Sequence, residues 1–280
     1  MNAKILNEIN EIKSFYAGDK KQKRFSALVT GTSGSGKTFL LRTCRLPIHI
    51  DSFDPGGSKN LRDMIDAGDV VVDTRWERED PFNPTAFAEW KKVTERRLLT
   101  GYFNAFGTYC LDSMTTWGQA VMNDVLRANQ RAGQTPSRNH DYMPQKTAMV
   151  NYIRRLLNTD CDVIMTGHLK DEGRLIAMDT KTGIETRTVE YRLMIVGDAQ
   201  ITVPLLFDEM YVLQTKQAGG KLERSLLLEA QDKFHARSRL RSDNKLNSVE
   251  PADIKAILRK VGLSADDKDK LELTETNETN

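Results

Sequence analysis

The sequence predicts an α/β fold: a mainly parallel sheet flanked by helices, with an antiparallel β extension toward the C-terminus. Three observations lead there. Short apolar runs recur as buried strands at Ala27–Val29, Pro47–Asp51, Val70–Asp73, Gly107–Ser113 and Asp162–His168. Segments with apolar residues at helical spacing lie between several of them. Past these, Leu205–Leu213 and Arg224–Glu229 read as strands, separated by a Gly219-Gly220 turn.

A chain of 280 residues can bury a full core, as one large domain or two small ones. With 41 Lys and Arg against 39 Asp and Glu, the net charge of +2 permits nucleic-acid binding without arguing for it. Cys44, Cys110 and Cys161 are far apart and form no C-x-x-C pair, which points to a reduced, cytoplasmic setting without a zinc site or disulfide frame. No apolar run approaches membrane-spanning length and the N-terminus lacks a signal-peptide core, so no membrane partner is expected. The expected division is an N-terminal amphipathic helix and linker (1–24), a main domain (25–240), a short C-terminal helix (241–263) and a disordered acidic tail (264–280).

In chain order, Ile5, Ile9, Ile12 and Tyr16 mark a helix over residues 3–16, which packs on its own domain or serves as an arm for a neighbouring subunit. The stretch FSALVTGTSGSGKTFLL (Phe25–Leu41) follows, and the rest of the chain is organised around it. It is G-x-x-x-x-G-K-[ST] between a strand and a helix, the loop that binds nucleoside triphosphates. Its glycines permit positive φ and bring successive N–H groups against phosphate, and the helix N-terminus adds its dipole. Gly31, Thr32, Ser33, Gly34, Ser35, Gly36, Lys37, Thr38 and Phe39 therefore form the candidate cradle. Lys37 is placed for the β- and γ-phosphates, and Thr38 for Mg²⁺.

The second strand places Asp51 and Asp54 at a carboxyl end, where open sheets bind ligands, although Asp54-Pro-Gly-Gly57 also suits a plain turn. Phe87, Trp90, Val93 and Leu98 form a helical core stripe. The strand ending at Asp112 has the form of the second nucleotide motif, whose carboxylate serves Mg²⁺. Ser113 or Thr115 can cap the helix after it, whose apolar face carries Trp117, Val121 and Val125. Arg127–Pro144 is polar and aperiodic, with Arg127, Arg131, Arg138, His140 and Tyr142. Such a loop suits single-stranded nucleic acid or is simply solvated. A helix with Met149, Tyr152, Ile153, Leu156 and Leu157 on its apolar face leads to a strand ending in Thr166-Gly167-His168, where His168 is a candidate γ-phosphate sensor. Leu175–Asp179 and Thr186–Val196 read as a hairpin made basic by Lys170, Arg174, Lys181, Arg187 and Arg192. Lys233, Arg237 and Arg239 form a compact basic cluster, either solvated or reaching a neighbour's phosphate. A short helix over 251–262 has Pro251 early and Gly262 after it.

There is no N-K-x-D, which disfavours a guanine-specific GTPase, and no L-S-G-G-Q of transporter ATPases. GTSGSGKT, IDSFDPGG, YCLDS and VIMTGH, in that order, resemble the RecA-like P-loop ATPase core over about residues 25–240. The likeness is nearest to small phage-encoded RecA-like ATP-binding proteins linked to single-strand annealing and recombination. This resemblance implies ATP and Mg²⁺ as cofactors, with Lys37, Asp54, Asp112 and His168 at the reacting end and Thr38 and Asp112 on the metal. The water-activating glutamate of relatives has Asp54 as its nearest match, shorter by a methylene and displaced by one position. The resemblance also implies a homo-oligomer in which Lys233, Arg237 or Arg239 reaches the neighbouring site, with Arg237 as the catalytic candidate. Single-stranded DNA would lie on Arg131, Arg138, Lys170 and Arg174, and single-strand-binding or other recombination proteins would be partners. A DNA-packaging or helicase-like motor, an ATP-switched DNA-binding module with little turnover, and a small-molecule kinase are the alternatives. The motor is disfavoured because Asp112 is followed by Ser113 rather than Glu.

Overall fold

The computed structural model describes residues 3–18, 23–137, 140–178, 185–195 and 197–271. Through the first half of the chain, α1 (Ala3–Gly18) and β1 (Ser26–Gly31) lead to α2 (Lys37–Leu40), β2 (Ile48–Ser52), α3 (Arg62–Asp66) and β3 (Val70–Asp73). The layer continues with α4 (Ala86–Leu99), β4 (Thr108–Asp112), α5 (Met114–Ala128) and α6 (Tyr142–Leu156). The rest comprises β5 (Asp162–Met178), β6 (Glu185–Leu193), α7 (Ala199–Thr202), β7 (Glu209–Ala218), β8 (Lys221–Leu227), β9 (Arg237–Ser238), β10 (Val249–Pro251) and α8 (Ile254–Val261).

Among the described residues the strands join in the order β10-β8-β7-β1-β5-β4-β2-β3, with β6 on β5 and β9 on β7. The block from β7 to β3 is parallel, and β6, β8, β9 and β10 are antiparallel additions. This is the predicted fold class. Gly219 and Gly220 both have positive φ, +57° and +77°, which suits the two-residue turn from β7 to β8. Register places Gly31 of β1 beside His168 of β5, and Ser52 of β2 beside Asp112 of β4. The phosphate loop, the histidine and the aspartate therefore share one edge of the sheet.

Alternation along the strands fills two cores, because a strand covered on both faces buries every residue. Leu28, Leu111, Val163 and Met165 face α4, α5 and α6, packing with Phe87, Trp90, Trp117 and Ile153. Ala27, Val29, Ile50, Cys110 and Ile164 face α2 and α8, packing with Leu40, Ile254, Ile257 and Leu258. Asp253 caps α8 by accepting from the Ala256 N–H at 2.9 Å, and Gly262 ends it at φ +79°. Pro251 belongs to β10 rather than to the first helical turn.

Several expectations need correcting. Helix α1 does not bury its apolar stripe in either core: Ile5, Ile12 and Tyr16 are exposed, and Phe15 is 80% exposed. Residues 264–271, expected to be disordered, lie against the domain: the Asp267 carboxylate accepts from Leu46 N–H, and Lys268 donates to the carbonyls of Leu46 and Asn104. The remainder of that tail lies outside the described residues. The polar loop is shorter than Arg127–Pro144, since α5 runs to Ala128 and α6 begins at Tyr142. It is also built around a buried carboxylate: Asp141 accepts from Arg131 at 2.7 Å, Asn129 at 3.1 Å and Ser137 N–H at 2.6 Å. The hairpin begins as the unbroken continuation of the sensor strand in β5, and its turn, including Lys181, lies outside the described residues. It is not net basic. Lys170, Arg174, Lys181, Arg187 and Arg192 are matched by Asp171, Glu172, Asp179, Glu185 and Glu190. Among the described residues, no helix is long and apolar enough to cross a membrane.

Candidate active site

The loop after β1 is shaped by its glycines. Gly36 has φ +95°, and a Cβ there would meet Arg224 Nε at 2.5 Å, so the position accepts neither the conformation nor the bulk of an L side chain. The helix beyond is shorter than expected: α2 has four residues and passes into a 3₁₀ turn at Leu41–Thr43. Phosphate binding therefore rests on the loop and first-turn amides more than on a long helix dipole. Ser35 Oγ, buried and without a hydrogen-bond partner among the described residues, fits a loop that closes around an anion.

Lys37 is only 6% exposed, and burial lowers the pKa of its ammonium. Its Nζ donates to the carbonyls of Gly31 at 3.1 Å and Thr32 at 3.0 Å and lies 3.3 Å from His168 Nδ1. An ammonium can only donate, so Nδ1 accepts. His168 Nε2 then carries the proton directed at Asp54 Oδ2, 3.1 Å away. The other Asp54 oxygen accepts from Ser113 Oγ at 2.9 Å and from Thr116 Oγ1. Burial works to raise the Asp54 pKa, but the bonds from His168, Thr116 and Ser113 outweigh it and hold the carboxyl below its usual range. Lys37, His168 and Asp54 thus form one hydrogen-bonded chain.

Asp112 lies beside it, with Oδ2 accepting from Thr38 Oγ1 at 2.6 Å and Oδ1 from Thr166 Oγ1. Its carboxyl is nearly inaccessible, and burial raises its pKa. A hydroxyl and a carboxylate in contact beside a phosphate loop fit Mg²⁺, which takes few protein ligands and completes its shell with phosphate and water. Asp112→Asn is therefore expected to abolish Mg²⁺-dependent turnover without lowering the stability of the nucleotide-free protein. Because the folded pKa is raised, the buried charge costs stability above that value. The cost is relieved as pH falls from there toward the ordinary ~3.9. Urea titrations at several pH values check this; a large loss of stability in the asparagine variant would contradict it.

Ser113 is the helix cap that the sequence offered, but the sequence did not show that the neighbouring hydroxyls support the site. Ser113 caps α5 by accepting from Thr116 N–H, and Thr115 accepts from His168 N–H at 3.0 Å. Glu77 binds Ser52 Oγ at 2.6 Å and Gly56 N–H at 3.1 Å, fixing the turn that carries Asp54. The hydroxyl run Ser113, Thr115, Thr116 was a visible signal, and Thr166 stood in the strand-end Thr166-Gly167-His168, but nothing in the sequence marked Glu77. Asp51 is not part of the site, and its carboxylate is buried among aromatic residues.

The more distant candidates fare differently. Arg237 donates to the carbonyls of Pro204 and Phe207, and Arg239 pairs with Asp208, while Lys233 is exposed. Strand β9 pairs with the start of β7, which adjoins the start of β1. Arg237 and Arg239 are therefore at the sheet edge opposite the loop and cannot serve the site of their own chain. Arg131 spends its donors on Asp141, Gln134 and Thr135 rather than facing solvent as a phosphate contact. Lys170 sits opposite Arg192 at the hairpin base. Arg138 and the side chain of Arg174 lie outside what the structure describes.

A phosphate loop, a hydroxyl–carboxylate pair and a strand-end histidine on one edge of a mainly parallel sheet make the arrangement of a P-loop ATPase. The chain belongs to the AAA domain family, whose profile matches residues 23–240. No curated protein matches it. Among solved structures it is distantly similar to a KaiC-like protein from the hyperthermophilic archaeon Pyrococcus horikoshii. That likeness has 12% identity and a TM-score of 0.39, covering 76% of this chain and 81% of that one.

Proposed function

We propose that this protein is a RecA-like, Mg²⁺-dependent ATPase that acts on single-stranded DNA as a homo-oligomer in recombination or annealing. The observation that carries the catalytic part is the Lys37–His168–Asp54 chain. Asp54, held ionised, orients a water for in-line attack on the γ-phosphorus of ATP. The water–phosphorus bond forms as the bond to the β-phosphate oxygen breaks, giving ADP and phosphate, and the water's proton leaves through Asp54 to solvent. Lys37, released from the Gly31 and Thr32 carbonyls, donates to the phosphates, and His168 reports their presence to Asp54. Thr38 and Asp112 would hold Mg²⁺, which would supply charge neutralisation when bound.

DNA coupling is supported by continuity: β5 carries His168 and runs without a break into the hairpin with Lys170 and Arg174. A ligand on that arm has a continuous strand leading to His168. Turnover measured with and without single-stranded DNA, at several protein concentrations, tests this. Stimulation that steepens with concentration is expected if Arg237 or Arg239, too far to serve its own site, leaves its present partners to complete a neighbour's. Flat turnover per subunit without a DNA response would remove DNA and oligomer from the reading. A second reading, an ATP-switched binding module with little turnover, is favoured by the three partners that already engage Asp54.

Asp54→Asn separates the two. If Asp54 orients the attacking water, kcat should fall about 10²-fold with nucleotide affinity within about threefold. Unchanged slow turnover would favour the switch.

A further inference from the structure

Arg224 reaches the phosphate loop from 189 positions away, and nothing above gives it a task. It stands on β8, half-buried, where its Nε–H donates to the Ser35 carbonyl at 3.3 Å. Its guanidinium lies over the Phe39 ring, 4.8 Å from the centroid. Gly36 leaves it room, since a Cβ there would strike Nε. Phe39 is 40% exposed, so part of its ring is open to a ligand beside the loop. Arg42 approaches the same ring at 5.1 Å, but its terminal nitrogens are spent on Asp63 and the Asn60 carbonyl. Arg224 makes one long hydrogen bond and, among the described residues, no ion pair. Its terminal nitrogens are thus available to a ligand.

The orientation of a bound nucleotide follows from the other end of the site. Lys37 and His168 gather on one side of the loop with Asp112 beside Thr38, and this is the side proposed above for the γ-phosphate. The nucleoside must then leave past the first turn of α2, where Phe39 stands. An aromatic face with a planar guanidinium beside it presents stacking surface and hydrogen-bond donors together, which suits a purine base. We infer that Arg224 and Phe39 form the base-recognition wall of the nucleotide site, with Arg224 the residue that distinguishes a nucleoside triphosphate from a bare triphosphate chain. This rests on the phosphate loop binding nucleotide, as proposed above.

The test is calorimetric binding of ATP and of inorganic tripolyphosphate, each with Mg²⁺, to the full chain and to Arg224→Ala, Arg224→Lys and Lys37→Ala. Arg224→Ala should weaken ATP about tenfold and leave tripolyphosphate within about twofold, because only ATP carries a base. Arg224→Lys, which keeps the charge without the plane, should lose most of the same preference. Equal weakening of both ligands by Arg224→Ala would place the arginine on the phosphates or in loop support and overturn the inference, as would no change for ATP. Lys37→Ala should weaken both ligands together. Wild-type protein binding neither ligand would remove the nucleotide reading itself, a different failure from loss of base preference alone.

Discussion

Lys37→Ala is expected to reduce ATP turnover by about 10³-fold or more while leaving the protein folded. Among the described residues Lys37 is the one buried cation of the phosphate loop, and a low-dielectric, preorganised position makes its charge count for more there than in water. Its removal should not unfold the domain. Burial lowers its pKa, so the folded state already works against its charge, and its hydrogen bonds reach only the end of β1 and the adjoining loop. Circular dichroism and thermal melting should therefore match wild type within a few degrees, while a coupled ADP-release assay falls to background. Full turnover in the variant would sink the assignment of this loop as the active site. Loss of the fold along with turnover would show instead that the lysine holds the loop together.

The largest effect on stability belongs to Asp51, which does no chemistry. Its carboxylate is fully buried and accepts from His49 at 3.1 Å, Trp76 at 3.2 Å, Trp90 at 2.8 Å, Tyr109 at 2.9 Å and Arg97 at 2.9 Å. Asp51→Ala leaves those donors unpaired and strands Arg97 with Asp73 as its remaining buried partner. Breaking a buried ion pair from one side costs about 3–5 kcal/mol, out of a total that is about 5–15 kcal/mol for a typical domain. The urea midpoint should fall accordingly, or the variant should not fold. Asp51→Asn keeps the shape and should still lose much of this, because the charge that Arg97 requires is gone.

The pH dependence has a definite sign. Burial acts to raise the Asp51 pKa, but the His49 and Arg97 contacts with the Trp90 bond hold it well below the ordinary value. Its stabilising contribution is then full above the unfolded ~3.9 and is lost as pH falls below that value toward the depressed one. Wild-type stability should drop across this acid range, with a shallower drop in a folded Asp51 variant. A loss below about 1 kcal/mol for Asp51→Ala at neutral pH would show that the aromatic cage repacks without its anion.

What the sequence determined by itself was whatever one contiguous stretch encodes. The phosphate loop is eight adjacent residues whose glycines and lysine dictate a local conformation, so Gly31–Thr38 could be recognised without knowing what surrounds them. The strand ends at Asp112 and His168 were legible for the same reason, as was the buried stripe of Phe87 and Trp90. Tertiary structure decided which side chains meet. Asp51 and Asp54 are three positions apart and look alike on paper. Strand alternation and the turn sent one into an aromatic cage and the other to His168. Arg131 and Arg237 looked like free cations until Asp141 and two backbone carbonyls claimed them. Thr166 reached Asp112, and Arg224 reached Ser35, only through strand register and the turn back from β7 to β8. Those contacts span 54 and 189 positions and depend on cooperative packing of both sheet faces, which no local window of sequence contains.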